Sequence, residues 1–349
     1  MKEKLVVGFF AIIFMASIAV GVMYTLKTPE QKIPKPAFLA GKEGYGVVHL
    51  YGHITGSDEM GMAGKQRGVD SVVSRLQTLG ENPRVKAIVL RVNSPGGSVA
   101  ASQELYREIQ RLKTKGVPVV VSVSDMGASG GYYAACGANK ILANPGSMVG
   151  SIGVIALFPN IQVLLEQKLG VRTTVMKTGK WKDAGSPLRD LTPEEQERFK
   201  KQLEQTYGQF FGAVKDARLN AVKTRMHERL KVTTPDAPVP DDKAAIEYLQ
   251  TLAQGQVFLG EEALTQGLVD GLGDFTDAVA EAKTLAGLPE DAREIVPPLQ
   301  LEDILESLGR GMVAKSSDAD PVGAAAVTTL NNITSVRMEY LYLPGGLLK

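Results

Sequence analysis

Several residue types that often carry chemistry are scarce in this chain. Cysteine occurs once, at Cys136, so no internal disulfide is available, and its place after two alanines predicts a buried structural thiol. The sequence has no His, Cys and carboxylate cluster with metal-site spacing and no glycine-rich loop of the phosphate-binding type. We therefore expect neither a metal nor a cofactor. The formal net charge of +1 argues against non-specific electrostatic binding of nucleic acid.

Histidine is also scarce, although it is the usual base for a serine nucleophile. His49 and His53 lie in an early strand-like segment, and His227 lies in a late charged helix. None stands beside a carboxylate in a loop of small residues, so we interpret all three as strand or surface residues. The alternative base is a lysine kept neutral by burial, because desolvation disfavours the charged form.

The segment at 124–154 contains the candidate nucleophile, Ser129. Small residues surround it in the sequence GASGG, which leaves its hydroxyl uncovered and the backbone accessible on both sides. The β-branched run at 117–123 predicts a buried parallel strand, and residues 132–138 are helical in pattern. Ser129 is therefore expected where a strand meets a helix, a position that points a side chain out of the sheet.

Three lysines in one loop are candidates for the base. The loop KTGKWKDAGSP spans residues 177–187 and contains the only tryptophan of the chain. Composition alone does not choose among Lys177, Lys180 and Lys182.

Four short motifs follow one another along the chain. They are RVNSPGGS at 91–98, MGASGGYYAA at 126–135, NPGSMVGSIGV at 144–154 and GKWKDAGSP at 179–187. In this order they resemble the signal peptide peptidase SppA family, in its short, single-repeat bacterial form. The similarity extends from about Tyr45 to Ala286 and includes GQVFLG at 255–260.

The resemblance implies a membrane-anchored serine–lysine protease with the α/β fold of the Clp protease and crotonase superfamily, a stacked spiral of βαβ units. Ser129 would be the nucleophile, Lys182 the general base, and Ser151 the residue that orients Lys182. The backbone N–H groups of Gly96 and Gly97 would form the oxyanion hole.

Partners also follow from the resemblance. The implied substrates are remnant signal peptides and other short hydrophobic peptides, bound by strand addition. The family forms ring- or dome-shaped homo-oligomers, and in its short form the serine and the lysine come from one subunit or from two adjacent ones. A lysine base predicts activity that rises at alkaline pH.

The amino-terminal segment predicts a membrane anchor. Residues 5–26 carry no charge and would span about 33 Å as a helix, enough to cross the hydrocarbon core. This stretch is longer than the apolar part of a secretory signal and lacks a good cleavage site. We expect residues 1–4 in the cytoplasm, a proline-containing linker at 27–42, and the globular part on the periplasmic side of the bacterial inner membrane.

The rest of the chain alternates strand-like and helix-like segments, which predicts parallel strands with right-handed crossovers. Periodicity does not distinguish a βαβ spiral from a doubly wound sheet. We expect a helix at 161–169, a strand at 171–176, and a long helix that is capped by Thr192 and continues to about residue 230.

The predicted protease domain covers 43–287, and 288–349 form a C-terminal extension whose segment 336–344 alternates like an added strand. Two other functions remain in competition. A crotonase-like acyl-CoA enzyme is disfavoured by the anchor and the Ser129/Lys182 pair. A catalytically silent membrane scaffold is disfavoured because Ser129, Lys182 and Ser151 are all present.

Overall fold

The computed structural model of the protein describes residues 41–57, 59–61, 64–66, 68–296 and 338–341. Apart from Gly41 and Lys42, these residues belong to one compact unit that begins at Glu43. The predicted anchor at 5–26 and most of the C-terminal extension lie outside the described residues. Within the described ranges, no helix is both long enough and apolar enough to cross a membrane.

Twelve strands are present in these residues. In chain order they are β1 Gly44–Tyr51, β2 Glu59–Gly61, β3 Gly64–Gln66, β4 Val85–Ser94, β5 Gly96–Ser98, β6 Val119–Ala128, β7 Lys140–Ala143, β8 Met148–Gly150, β9 Ile155–Ala156, β10 Val257–Leu259, β11 Gly271–Leu272 and β12 Met338–Leu341. The α-helices are α1 Val69–Glu81, α2 Val99–Thr114, α3 Gly130–Ala135, α4 Pro193–Thr233, α5 Asp242–Leu252, α6 Gly260–Gln266 and α7 Phe275–Leu285.

A mainly parallel sheet of seven strands forms the centre of the unit. Its order is β1-β4-β6-β7-β11, and each of these neighbours runs parallel to the next. Strand β6 pairs with β7 along its first half and with β8 along its second half. Strand β10 joins β8 in the antiparallel sense. The predicted α/β fold with parallel strands is confirmed.

Helices cover both faces of this sheet. The larger core lies on one face, where α1, α2 and α3 pack with Leu76, Leu105 and Tyr132 fully buried. On the other face, Ala278 and Ala282 of α7 pack against β4 and β6. Because both faces are covered, β6 is buried continuously over 119–123, as the β-branched run at 117–123 predicted.

The long helix α4 begins where the sequence predicted. Thr192 is its N-cap and accepts a hydrogen bond from the Glu195 N–H at 3.2 Å, while the Glu195 carboxylate accepts one from the Thr192 N–H at 2.9 Å. This reciprocal capping box satisfies two donors that a helix start otherwise leaves without partners. Phe210 on the same helix is fully buried and belongs to the larger core.

Residues 157–191, between β9 and α4, are here called the lysine excursion. The helix predicted at 161–169 is present as a short helical segment at 162–168, of which Leu164–Lys168 is π-helical. The strand predicted at 171–176 is absent, so that prediction was wrong. All residues from 166 to 182 are exposed, and no described strand pairs with them. Alternating β-branched residues favour a strand, but a strand also needs a neighbour for its backbone N–H and C=O groups.

A second, smaller sheet has the order β5-β12-β9, with β12 antiparallel to both neighbours. The added strand predicted within 336–344 is therefore present at Met338–Leu341. It lies between two segments of the protease domain that are distant from it in sequence. The position it occupies bears on the candidate site.

Candidate active site

Ser129 lies on the turn between β6 and α3, as the sequence predicted. Its backbone has φ 50° and ψ −117°, a conformation that residues with a Cβ seldom adopt. The turn is fixed on both sides, because the Ser129 N–H donates to the Gly150 carbonyl at 2.7 Å and the Ser129 carbonyl accepts from the Tyr133 N–H at 2.8 Å. A strained serine on a sharp strand-to-helix turn is typical of nucleophiles in other hydrolases.

The hydroxyl of Ser129 is buried and unsatisfied. The residue has no exposed surface, and its Oγ has no hydrogen-bond partner among the described residues. Buried hydroxyls almost always find partners, and an exception needs an explanation. Strain and an unpaired hydroxyl together indicate a residue selected for chemistry rather than for stability.

Ser151 lies beside Ser129 and shares its positive φ. It follows β8 as Ser129 follows β6, and the last residues of those strands, Ala128 and Gly150, are paired in register. Ser151 also has a φ of 50°, and within the described ranges these two serines are the only residues other than glycine with positive φ. The structure therefore brings together the predicted nucleophile and the serine predicted to orient its base.

Gly96 and Gly97 lie in β5, directly after β4. Their φ values are 102° and 155°, and a Cβ on Gly97 would lie 2.2 Å from the carbonyl oxygen of Ile54. Only glycine fits this close approach. Helix α3 lies against the same segment, since a Cβ on Gly131 would come within 3.1 Å of the Ser94 carbonyl. The predicted oxyanion segment and the helix that follows Ser129 are therefore neighbours.

The two candidate oxyanion amides differ in their partners. The Gly96 N–H donates to Ser94 Oγ at 3.1 Å. The Gly96 carbonyl and the Ser98 N–H both bond to Ile54, each at 2.8 Å. Because alternate backbone groups of a strand face opposite sides, the peptide groups of Gly97 face the other side, where β12 lies.

Lys182 forms no hydrogen bond with Ser129 among the described residues. It is exposed, and its backbone N–H donates to the Gly179 carbonyl at 3.4 Å in a turn of the lysine excursion. Its ammonium has no hydrogen-bond or ion-pair partner among the described residues. The other two candidates are engaged, because Lys177 pairs with Asp183 and Lys180 pairs with Glu194.

An ionic network surrounds the Lys182 turn. Arg189 binds the Asp183 carboxylate and forms a two-pronged pair with Glu195, at 2.8 and 2.6 Å. Hydrogen bonds from Arg189 and Lys177 hold the pKa of Asp183 well below its usual range. Those from Arg189 and Thr192 lower the pKa of Glu195 to about 2. Sequence reasoning missed Arg189, and the only signal was an arginine six residues before the capping glutamate.

Cys136 lies in the fully buried layer behind α3. Burial raises the pKa of its thiol to about 12, so the group is a neutral, unreactive thiol at ordinary pH. The prediction of a structural cysteine is confirmed.

Comparisons with known proteins show the family. The model for peptidase family S49 matches residues 111–227 and 241–289, and the Clp protease model matches residues 59–149. A relative from Synechocystis sp., named "Putative protease slr0021", is 38% identical over 225 residues, which cover 64% of this chain and 72% of that protein. The chain belongs to peptidase family S49. Ser129, Ser151 and Lys182 all lie within the matched ranges of that family.

Two longer relatives carry protease names. Protease 4 of Salmonella typhi is 38% identical over 223 residues, which cover 64% of this chain and 32% of that protein. The chloroplastic serine protease SPPA of Arabidopsis thaliana is 33% identical over 251 residues, which cover 70% of this chain and 33% of that protein. The match thus spans about a third of each of these two relatives. Family and relatives support serine endopeptidase activity for this S49 member.

A solved structure of a variant of the 1510-N membrane-bound stomatin-specific protease aligns with 73% of this chain and 93% of that chain. Its identity is 16% and its TM-score 0.39, a similarity too low to support an argument.

Proposed function

We propose that this chain is a membrane-anchored serine endopeptidase that degrades remnant signal peptides and other short hydrophobic peptides, with Ser129 and Lys182 as its catalytic dyad. The observation that carries the proposal is the strained, buried and unpaired hydroxyl of Ser129 beside the equally strained Ser151. We place the domain in the stacked βαβ spiral of the Clp protease and crotonase superfamily, and we assign residues 5–26 to the anchor.

The proposed reaction begins when neutral Lys182 takes the proton of Ser129 Oγ as that oxygen attacks the peptide carbonyl carbon. The oxyanion forms near β5, where the N–H groups of Gly96 and Gly97 are the candidate donors. The Gly96 N–H bonds to Ser94 Oγ, and the peptide groups of Gly97 face the position of β12. Lys182, now an ammonium, protonates the leaving amine. A water molecule then hydrolyses the acyl-enzyme with Lys182 again acting as the base.

The base in this proposal comes from a second copy of the chain. Ser129 Oγ lacks a partner, and Lys182 carries an unpaired ammonium on an exposed excursion, so each residue lacks what the other supplies. A head-to-tail interface that repeats around a ring would bring every excursion to a neighbouring Ser129. Burial at that interface would also disfavour the charged form of a lysine, as a lysine base requires.

The smaller sheet supports an extended peptide as substrate. Strand β12 lies antiparallel to β5 and β9 and contacts α3, the helix that begins after Ser129. This position accepts an extended strand and faces the peptide groups of Gly97. A peptide from another protein would bind there by strand addition, with its backbone held and its alternate side chains selected.

The test is hydrolysis of a hydrophobic fluorogenic peptide by the full-length protein, Ser129→Ala and Lys182→Ala, from about pH 6 to about pH 10. We expect a rate that rises toward alkaline pH and is lost in both variants. Lys180→Ala is the matched control, because this lysine lies two residues away and is paired with Glu194. Full activity in Lys182→Ala, or a wild-type rate that is flat across this pH range, would contradict the dyad.

A further inference from the structure

Arg189 connects the turn that carries Lys182 to the start of α4. Its Nε donates to Asp183 Oδ2 and its Nη2 to the Asp183 carbonyl, both at 3.1 Å. Its Nη1 and Nη2 donate to the two carboxylate oxygens of Glu195 at 2.8 and 2.6 Å. The Arg189 guanidinium thus binds both Asp183, which follows Lys182, and Glu195, the acidic member of the capping box of α4.

The Glu195 end of this connection is fixed. The Glu195 side chain is 3% exposed and takes part in the capping box with Thr192. Further along the same helix, Phe210 and Val214 are fully buried in the main core. Arg189, which binds Glu195, is therefore anchored to a helix that packs in the main core, although the lysine excursion itself is exposed.

At the other end of this connection, Arg189 binds the carboxylate of Asp183, the residue that directly follows Lys182. Its Oδ2 accepts from Arg189 Nε, and its Oδ1 is paired with Lys177 and, at 3.1 Å, with Arg189 Nη2. Both oxygens are therefore occupied. A free carboxylate at this position would attract the Lys182 ammonium and oppose its deprotonation.

We propose that Arg189 is a positioning residue for Lys182, one that fixes the Lys182 turn to the first turn of α4 and keeps the Asp183 carboxylate from pairing with the Lys182 ammonium. The inference rests on the proposed function, since it takes Lys182 as the base. Other charged groups face the same turn from α4 and from the excursion itself. They are Glu194, Arg198, Lys177 and Lys180.

Removal of the guanidinium has two separate consequences. The turn loses its connection to the helix, and small displacements of a catalytic group cost on the order of 100-fold in rate. The Asp183 carboxylate also keeps only Lys177 as a partner, and its Oδ2 becomes available to hold the Lys182 ammonium. The alkaline increase of kcat/KM should then begin at higher pH.

The experiment measures kcat/KM of the full-length protein against pH for Arg189→Gln and for the double variant Arg189→Gln/Asp183→Asn. We expect Arg189→Gln to lower kcat/KM on the order of 100-fold and to move the pH profile to higher pH. The double variant should return the profile toward that of the wild type while the rate stays low. Arg225→Gln is the matched control, because Arg225 forms an exposed ion pair with Glu228 on the same helix.

A purely structural role predicts a different result, in which fewer molecules label with an active-site serine reagent but the pH profile does not move. That outcome, or a wild-type rate and profile in Arg189→Gln, would overturn the inference. If Arg189→Gln does not fold, Arg189→Lys is measured instead, since it keeps the charge but loses the two-pronged geometry. Lys182→Ala distinguishes failure of the proposed function from failure of the inference about Arg189. If Lys182→Ala is active, Lys182 is not the base and the proposed function fails. If Lys182→Ala is inactive, Lys182 stays the base and the Arg189 variants test the inference.

Discussion

Val119, Val120, Val121 and Val123 of β6 have no exposed surface, whereas every residue from 166 to 182 in the lysine excursion is exposed. The first region is held by a parallel ladder and a dense core, and the second by turns and ion pairs around Arg189. A rigid body can maintain a strained nucleophile such as Ser129. An exposed excursion can instead present a lysine to another molecule, and the two regions together supply both halves of the proposed dyad.

The largest expected effect concerns the strain at Ser129. Ser129→Gly should abolish peptide hydrolysis, because no other group replaces the nucleophile. It should also raise the free energy of unfolding by about 1 kcal/mol, because glycine tolerates a φ of 50° and the unpaired buried hydroxyl disappears. Chemical denaturation measures this change. Ser147→Ala is the control and should destabilise, since the Ser147 hydroxyl is buried and donates to the Ser124 carbonyl. A lower stability in Ser129→Gly would contradict the strain argument.

The next effect concerns the stability of the body, by which we mean the central sheet and the helices packed on it. Arg218 is 4% exposed, donates to the Gly267 carbonyl and pairs with Asp270 at 2.9 Å. Arg218→Met should cost about 3 kcal/mol, because it leaves the partners of a buried charge uncompensated. The matched change at the exposed Arg225 should cost less than about 1 kcal/mol. Equal costs in the two variants, measured by denaturant unfolding, would show that burial does not distinguish the two ion pairs.

Acid should loosen the excursion before it opens the body. Glu195 has its pKa lowered from 4.5 to about 2, and the pKa of Asp183 is lowered as well. A carboxyl group with a lowered folded-state pKa contributes stability above its unfolded pKa, and this contribution is lost as the pH falls from about 4.5 to about 2. Amide hydrogen exchange, corrected for intrinsic rates, should show protection falling in 177–191 while β4 and β6 remain protected. Simultaneous loss in both regions would contradict this order.

The smallest effect concerns β12. Deletion of 338–349 should lower the KM for a hydrophobic peptide a few-fold, because it clears the position between β5 and β9. Deletion of 342–349 alone keeps β12 and is the matched control. The same KM in both deletions would indicate that β12 does not compete with the substrate.

The body was largely predictable from sequence because its patterns are local and strong. The β-branched run before Ser129 and the Thr192 cap each carry their own signal, and the structure has an element at each place. The short motifs around Ser129 and Ser151 also indicated two serines in one site, which the paired ends of β6 and β8 bring together.

The excursion was predicted poorly because its local pattern has no partner within the chain. Residues 171–176 alternate like a strand, yet no described strand lies beside them. The role of Arg189 depends on contacts among a turn, a loop and a helix cap, and no periodicity reports such contacts. The strain at Ser129 and Ser151 was also missed, because it arises where the paired ends of β6 and β8 turn away from the sheet, and neither sequence reports that pairing.

The most direct test of the central claim mixes two inactive variants of the full-length protein, Ser129→Ala and Lys182→Ala, under conditions that allow subunits to exchange. If Lys182 of one copy serves Ser129 of the next, about a quarter of the sites in a random equal mixture regain both residues, and activity returns. If the two residues act within one chain, no site contains both, and the mixture stays as inactive as its components.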